Sequence, residues 1–193
     1  MVVVVMIAIL AAIAVPGVVE RLRQRRVSEA AQKIATLYRG ARMRALGRGA
    51  AVMVRWENSR FTVYEAVQGA AAVVNDDCAM VPSSSCTRAN WANNGADTRH
   101  EIAGFRFGDR AEYRDADVGV AMKGTDGSAA ATLDVCFTPV GQAYSRTDIT
   151  AVFTPLNGVV SARVTRAAGD SIAHNVVVLP NGIAAVSAAL GGT

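Results

Sequence analysis

The first nineteen residues, Met1 to Val19 (MVVVVMIAILAAIAVPGVV), carry no charge and no strong hydrogen-bonding side chain. As a helix rising 1.5 Å per residue this run spans roughly 28 Å, close to the hydrocarbon thickness of a bilayer. It has no polar face to turn to water, so it does not read as the surface helix of a soluble domain. It also lacks the marks of a cleaved secretory signal. No basic residues precede it, and Glu20 and a row of arginines follow where a small-residue cleavage site would stand. Pro16 would break a helix in water, whereas neighbouring segments in a membrane re-satisfy the backbone groups it frees. Residues 1–19 therefore read as the transmembrane part of an N-terminal helix.

Beyond this run Val27, Ala30, Ala31, Ile34, Leu37, Tyr38, Ala41 and Ala45 recur at spacings of three and four, with polar and charged residues between them. That is one apolar stripe on a helix. The pattern predicts a continuous helix from about Val2 to Leu46, stopped by Gly47 and Gly49, with residues 20–46 as its amphipathic continuation. Val27, Ala30, Ile34, Leu37, Tyr38 and Ala41 form the face expected to lie on a sheet, and an aspartate at Leu37 is expected to block folding.

From Ala50 the period changes from helical to alternating. AVMVRW (51–56) and FTVYEAV (61–67) flank Glu57, Asn58, Ser59 and Arg60 as a β-hairpin. Further strands are predicted at 105–107, 118–122, 133–137, 151–153, 159–165, 175–179 and 183–186, with Pro180, Asn181 and Gly182 forming the last turn. No second helix is long enough for a βαβ crossover, so the sheet is expected to be antiparallel. The remaining length, about 140 residues, suffices for one globular domain, 47–193. Residues 68–104, with Pro82, Ser83 to Ser85 and several asparagines, read as a long irregular loop. The fold class is α+β.

The formal net charge of +4 is unevenly spread. Residues 1–60 hold eleven basic and three acidic groups, the remainder nine and thirteen, so the positive charge belongs to the helix and first hairpin. Arg21, Arg23, Arg25 and Arg26 follow the apolar run directly, and the positive-inside rule taken alone would place that end in the cytoplasm. Three cysteines fit an oxidising compartment. Cys78 and Cys86 are close enough for a turn to bring together, leaving Cys136 as a buried thiol; the alternative pairs Cys136 with one of the other two. No catalytic residues, metal ligands or cofactor are predicted. There is no C-x-x-C pair, no H-E-x-x-H, no G-x-S-x-G and no P-loop, and His100 and His174 read as surface or strand residues. Asp109, Glu112, Asp115 and Asp117 are interrupted by Arg110 and Arg114 and read as a solvated connection rather than a calcium site.

An apolar run that reaches a proline and continues as an amphipathic helix resembles the N-terminal helix of type IV pilins and pseudopilins. LYRGARMRALGRGAAVMV (37–54) resembles the helix-to-strand junction of H-type minor pseudopilins and FimT/FimU-type minor pilins, through Ala41, Arg42, Ala45, Arg48 and Gly49. CFTPVG (136–141) and VVVLPNG (176–182) resemble two later strand signatures of the same group. In that family a short basic leader ending in glycine, a phenylalanine that becomes methylated and a glutamate precede the run. By alignment Met1 falls just after that glutamate, so the natural chain is expected to begin upstream.

The resemblance implies a long helix on an antiparallel sheet, a single-pass inner-membrane protein with its globular domain in the periplasm or exposed on a filament, and no reaction catalysed. It places Val5, Ile9, Ala12, Ile13 and Pro16 in the membrane and then in the filament core. The implied partners are other pilins or pseudopilins, the inner-membrane assembly platform and membrane lipid. A minor pilin that initiates or caps a type IV pilus is the leading function, and a minor pseudopilin of a type II secretion system is the alternative. A third reading is a competence pilin that binds DNA through Arg39, Arg42, Arg44 and Arg48. DNA is the least favoured partner. The family's glycine-arginine-x-arginine signature is replaced here by Gly182, Ile183, Ala184 and Ala185.

Overall fold

A computed structural model describes residues 2–68, 81–89, 91, 99–107, 118–166 and 173–189; for 2–20, 23, 68, 81, 188 and 189 it describes the backbone alone. Among the described residues one helix, α1 (Val2–Arg48), is followed by strands only. Gly47 does not stop it. The helix ends at Gly49, which adopts φ +72° while its N–H donates to the Ala45 carbonyl, the left-handed cap that glycine adopts without a Cβ clash. The side chains of Val5, Ile9, Ala12, Ile13 and Pro16 lie outside the described residues. Among the described residues no helix is long and apolar enough to cross a membrane.

The strands form two antiparallel sheets. The larger runs β3 (Val81–Pro82), β2 (Arg60–Gln68), β1 (Val52–Glu57), β7 (Leu133–Phe137), β8 (Ala143–Arg146) and β9 (Thr154–Pro155), with β4 (Arg99–Arg106) also on the outer edge of β2. The smaller runs β12 (Ala184–Ala189), β11 (Ala173–Val178), β10 (Val160–Arg166), β5 (Val118–Lys123) and β6 (Ala129–Ala130). The β1–β2 hairpin turns on Asn58 and Ser59, both at positive φ, the backbone twist a two-residue hairpin needs.

The helix lies across the inner faces of both sheets. Val27, Ala30, Ile34, Tyr38, Ala41 and Ala45 are buried in one cluster with Val52, Val54 and Phe61 of the larger sheet and Val164, Val176 and Val178 of the smaller. The alanines let the helix axis approach the sheets closely, and Ile34 and Tyr38 fill the space between. Burial pushes the Tyr38 phenol far above its usual range, with the Asp134 charge adding to the shift, so it stays neutral. Leu37 is only half-buried, because it lines a surface groove of about 250 Å³ with Gly40 and Ile102.

The larger sheet is covered on both faces, which the alternation in the sequence did not suggest. Met53 and Cys136 point away from the helix into a second cluster with Ala51, Ala66, Cys86, Trp91 and Phe153. This explains why β1 is buried at every position from Val52 to Trp56. Another difference is β4, which begins inside the stretch read as loop. It is an edge strand half-buried or exposed at every position but Phe105, so Arg99, His100 and Glu101 leave no apolar alternation to detect. The expected strand at 151–153 is displaced to β9, and β3, β6 and β8 are short additions.

A buried charge without a partner costs several kcal/mol, whereas a charge at the groove lip can reach water. Ile34→Asp should therefore leave the chain unfolded, while Leu37→Asp should cost only about 1–2 kcal/mol. Thermal melting followed by circular dichroism distinguishes the two; equal melting temperatures would mean that the buried face is wrongly assigned.

Candidate functional site

The last three turns of α1 carry a cluster of basic side chains that fasten the helix to the sheets. Arg44 and Arg48 both reach Glu65 on β2; Arg44 Nε donates to Oε2 at 2.6 Å and Arg48 Nε to Oε1. The carboxylate is fully buried, whereas the arginine side chains keep 31% and 26% of their surface. Such a clamp joins a buried acid to bases that stay partly in water. Arg39 Nε donates to the Ala184 carbonyl at 2.9 Å, tying the same helix to β12.

Arg42 is held differently. Two hairpin turns of the same form, Thr138-Pro139-Val140-Gly141 and Leu179-Pro180-Asn181-Gly182, stand on either side of it. In each the glycine N–H donates to the carbonyl three residues back, and Gly141 and Gly182 adopt φ +83° and +75°. This is the type I turn followed by a left-handed residue that closes a three-residue hairpin loop. A Cβ on Gly182 would stand 3.1 Å from Arg42 Nε and 3.3 Å from Phe137 Cδ1, so the close approach also requires glycine. The stretches 37–54, 136–141 and 176–182, far apart in the chain, thus meet at one arginine.

Of the four arginines considered as nucleic-acid contacts, Arg44 and Arg48 bind Glu65, Arg39 bonds the Ala184 carbonyl, and Arg42 stands against the two turns with its buried Nε lacking a hydrogen-bond partner. A helix periodicity cannot show that an acid 17 residues further along, Glu65, will fold back beneath Arg48.

A second charged group lies on the opposite face of the larger sheet. Arg55, Asp134 and Arg146 stand side by side on β1, β7 and β8, in register. Arg55 gives two parallel hydrogen bonds to Asp134, 2.8 and 2.9 Å, and Arg146 Nε gives a third at 2.7 Å. Burial works against the Arg55 charge, but the hydrogen bond and charge of Asp134 outweigh it and raise its pKa above the usual value. Arg146 also donates to the Ala151 carbonyl at 3.1 Å and lies over the Phe153 ring, 4.4 Å from its centroid.

Next to this triad the disulfide joins Cys86 to Cys136, not to Cys78. Strand β7 points Cys136 into the second cluster with Cys86 and Trp91, and this contact outweighs the closeness of Cys78 and Cys86 in sequence. Cys78 lies outside the described residues, as do Asp109, Glu112, Asp115 and Asp117. The segment is fastened along its length. Ala51 donates to the Ser83 carbonyl, Ser83 to that of Ala66, and the Trp91 indole to that of Cys86 at 2.8 Å. His100 lies on β4 and His174 on β11, in different sheets. Among the described residues no three histidine, cysteine or acidic side chains are grouped to hold a metal ion.

These contacts bind the chain to itself, and their common product is a helix of fixed orientation on antiparallel sheets. That is a type IV pilin-like fold. A solved structure it resembles is the type IV minor pilin FimU of Pseudomonas aeruginosa, at 10% sequence identity and a TM-score of 0.50, over 87% of this chain and 96% of that one. No family model and no curated protein matches the sequence.

Two substitutions probe the fastenings. Asp134→Asn removes the carboxylate charge that holds two buried guanidinium groups and should cost about 3–5 kcal/mol in urea unfolding; Glu65→Gln should cost less, because Arg44 and Arg48 can turn to water. Equal losses would show that solvent reaches both sites alike. Gly182→Ala should cost about 1–2 kcal/mol for the left-handed backbone, and more if Arg42 cannot move aside; a neutral result would remove the requirement for glycine there.

Proposed function

We propose that this chain is a minor pilin, a structural subunit that helps initiate or cap a type IV pilus without catalysing a reaction. The observation that carries this reading is the pilin-like fold joined to a nineteen-residue apolar run at the start of the same helix. In this reading residues 1–19 store the subunit in the inner membrane and then enter the filament core, with Val5, Ile9, Ala12, Ile13 and Pro16 at the packing surface. Residues 20–46 continue the helix beneath the globular domain of residues 47–193, which faces the periplasm or the outside of the filament. Helix packing is the mechanism, and no cofactor takes part.

The fastenings support it physically. A subunit that leaves the bilayer by its helix needs the helix fixed rigidly to its domain, and the Glu65 clamp, the Arg42 turns and the buried stripe do that within one half of α1. The partners under this reading are other pilins, the inner-membrane assembly platform and lipid.

Deleting the gene in its own organism and restoring it with wild type or with Ile9→Arg tests the proposal. Wild type should restore surface pili. Ile9→Arg, which puts a charge into the packing surface, should leave a folded domain but few pili, since an arginine at the centre of a membrane helix costs about 2.5–3.5 kcal/mol or more. Unchanged piliation in the deletion would overturn the reading, and a loss of protein secretion with pili intact would assign the chain to a type II secretion pseudopilus.

A further inference from the structure

The clamps of the domain use the arginines of the last turns of α1, and they leave the earlier group, Arg21, Arg23, Arg25 and Arg26, without a role. Among the described residues the first buried side chain of the helix is Val27. Before it Arg21, Leu22 and Arg25 are exposed, and Gln24 and Arg26 are half-buried. Residues 20–26 are therefore a neck between the apolar run and the domain. The helix backbone continues through it without a break.

The rise of an α-helix places positions 21 to 26 about 3 to 11 Å beyond Val19. The headgroup layer of a bilayer extends about 5–8 Å beyond the hydrocarbon. If residues 1–19 fill the hydrocarbon, the four arginines start within that layer and end at its outer rim. At 3.6 residues per turn their positions are spread over more than half of the helix circumference, as a collar and not as one face. Glu20 and Glu29 are the acids of residues 20–29, so this stretch keeps an excess of two positive charges. Glu29 meets Arg25 at 2.8 Å, but that arginine side chain is 75% exposed, and an exposed pair on one helix is weak enough to yield to another anion. Leu22, exposed among these charges, suits the boundary between headgroups and acyl chains.

We infer that this neck is a binding collar for anionic phospholipid, in which Arg21, Arg23, Arg25 and Arg26 hold headgroup phosphates at the end of the apolar run. A guanidinium offers paired N–H donors in the fork that phosphate oxygens accept, and anionic headgroups add attraction that neutral ones lack. The collar also accounts for a feature that the proposed function leaves over. In the pilin orientation the neck lies on the periplasmic side, where the positive-inside rule does not call for arginines, and lipid phosphates give the four charges a partner there. The inference rests on the reading of residues 1–19 as a membrane segment, and not on which filament the chain serves.

The full chain, reconstituted in phosphatidylcholine vesicles with a trace of spin-labelled phosphatidylglycerol or spin-labelled phosphatidylcholine, tests it through the fraction of each probe that the protein immobilises. Wild type should prefer the anionic probe by about fivefold or more, the worth of one arginine at an anionic surface. Replacing all four arginines by glutamine should abolish the preference with the melting curve of the domain retained. Replacing all four by lysine should keep most of it, which separates loss of charge from damage to the helix. Inorganic phosphate exchanged for chloride at equal ionic strength should leave the preference unchanged. Equal immobilisation of the two probes by wild type would overturn the inference and leave acidic side chains of a neighbouring subunit as the partner of the collar. A preference that survives in the glutamine variant would overturn it by placing the lipid contact elsewhere, and displacement by inorganic phosphate would make the neck a site for the free anion. A chain that fails to enter the vesicles would overturn the membrane reading as well, whereas insertion without lipid preference overturns this inference alone.

Discussion

The architecture depends on burying one stripe of α1. Among the described residues neither sheet has another helix to cover its inner face, and the valines of β1, β10 and β11 are kept from water by Val27, Ala30, Ile34, Tyr38, Ala41 and Ala45. The choice of residues follows from the geometry. A helix that must touch two sheets at once has to come close, so alanine dominates the stripe, and Ile34 and Tyr38 are its largest fully buried side chains. At about 25 cal/mol per Å² of apolar surface such burial is the largest favourable contribution available to a domain of this size.

Charge then fixes what burial leaves free. An apolar stripe resists separation but not sliding or rotation, and ion pairs with defined partners supply the register. The unequal distribution of charge along the chain acquires a meaning here. Arg44, Arg48 and Arg55 come from the basic first part, and Glu65 and Asp134 from the acidic remainder, so part of that asymmetry is matched within the fold. The two acids are used in different ways. Glu65 is met by arginines that remain partly in water, whereas Asp134 is met by two that do not. The second arrangement is the costlier to form and the more damaging to disturb.

Much of this was legible in the residues, and the exceptions share a cause. The helix, the first hairpin, the turn at Pro180 to Gly182 and the antiparallel class follow from periodicity and turn chemistry, which are local. Only the end of β4 was legible, at Phe105, because its first residues are half-buried or exposed and show no apolar period. Sequence proximity favours Cys78 as the partner of Cys86, and the observed bond to Cys136, the alternative pairing, spans 50 residues to a strand of the sheet. The arginines of α1 were legible as charges but not as clamps, because their acceptors are set by strand pairing. The motif residues Arg42, Gly141 and Gly182 stood out individually, and only in the folded chain does their common position explain why these residue types occur together.

By itself, then, the sequence determined that a single long helix, apolar and then amphipathic, precedes an antiparallel β domain. Those properties rest on interactions within a few residues, and such interactions leave a period or a turn signal in the chain. Tertiary structure alone decided which face of the larger sheet the disulfide closes, which acids the helix arginines hold, and in what order the strands lie. Each of these is a contact between segments tens of residues apart, set by strand order and register, and no local pattern of side chains encodes the distance across a sheet.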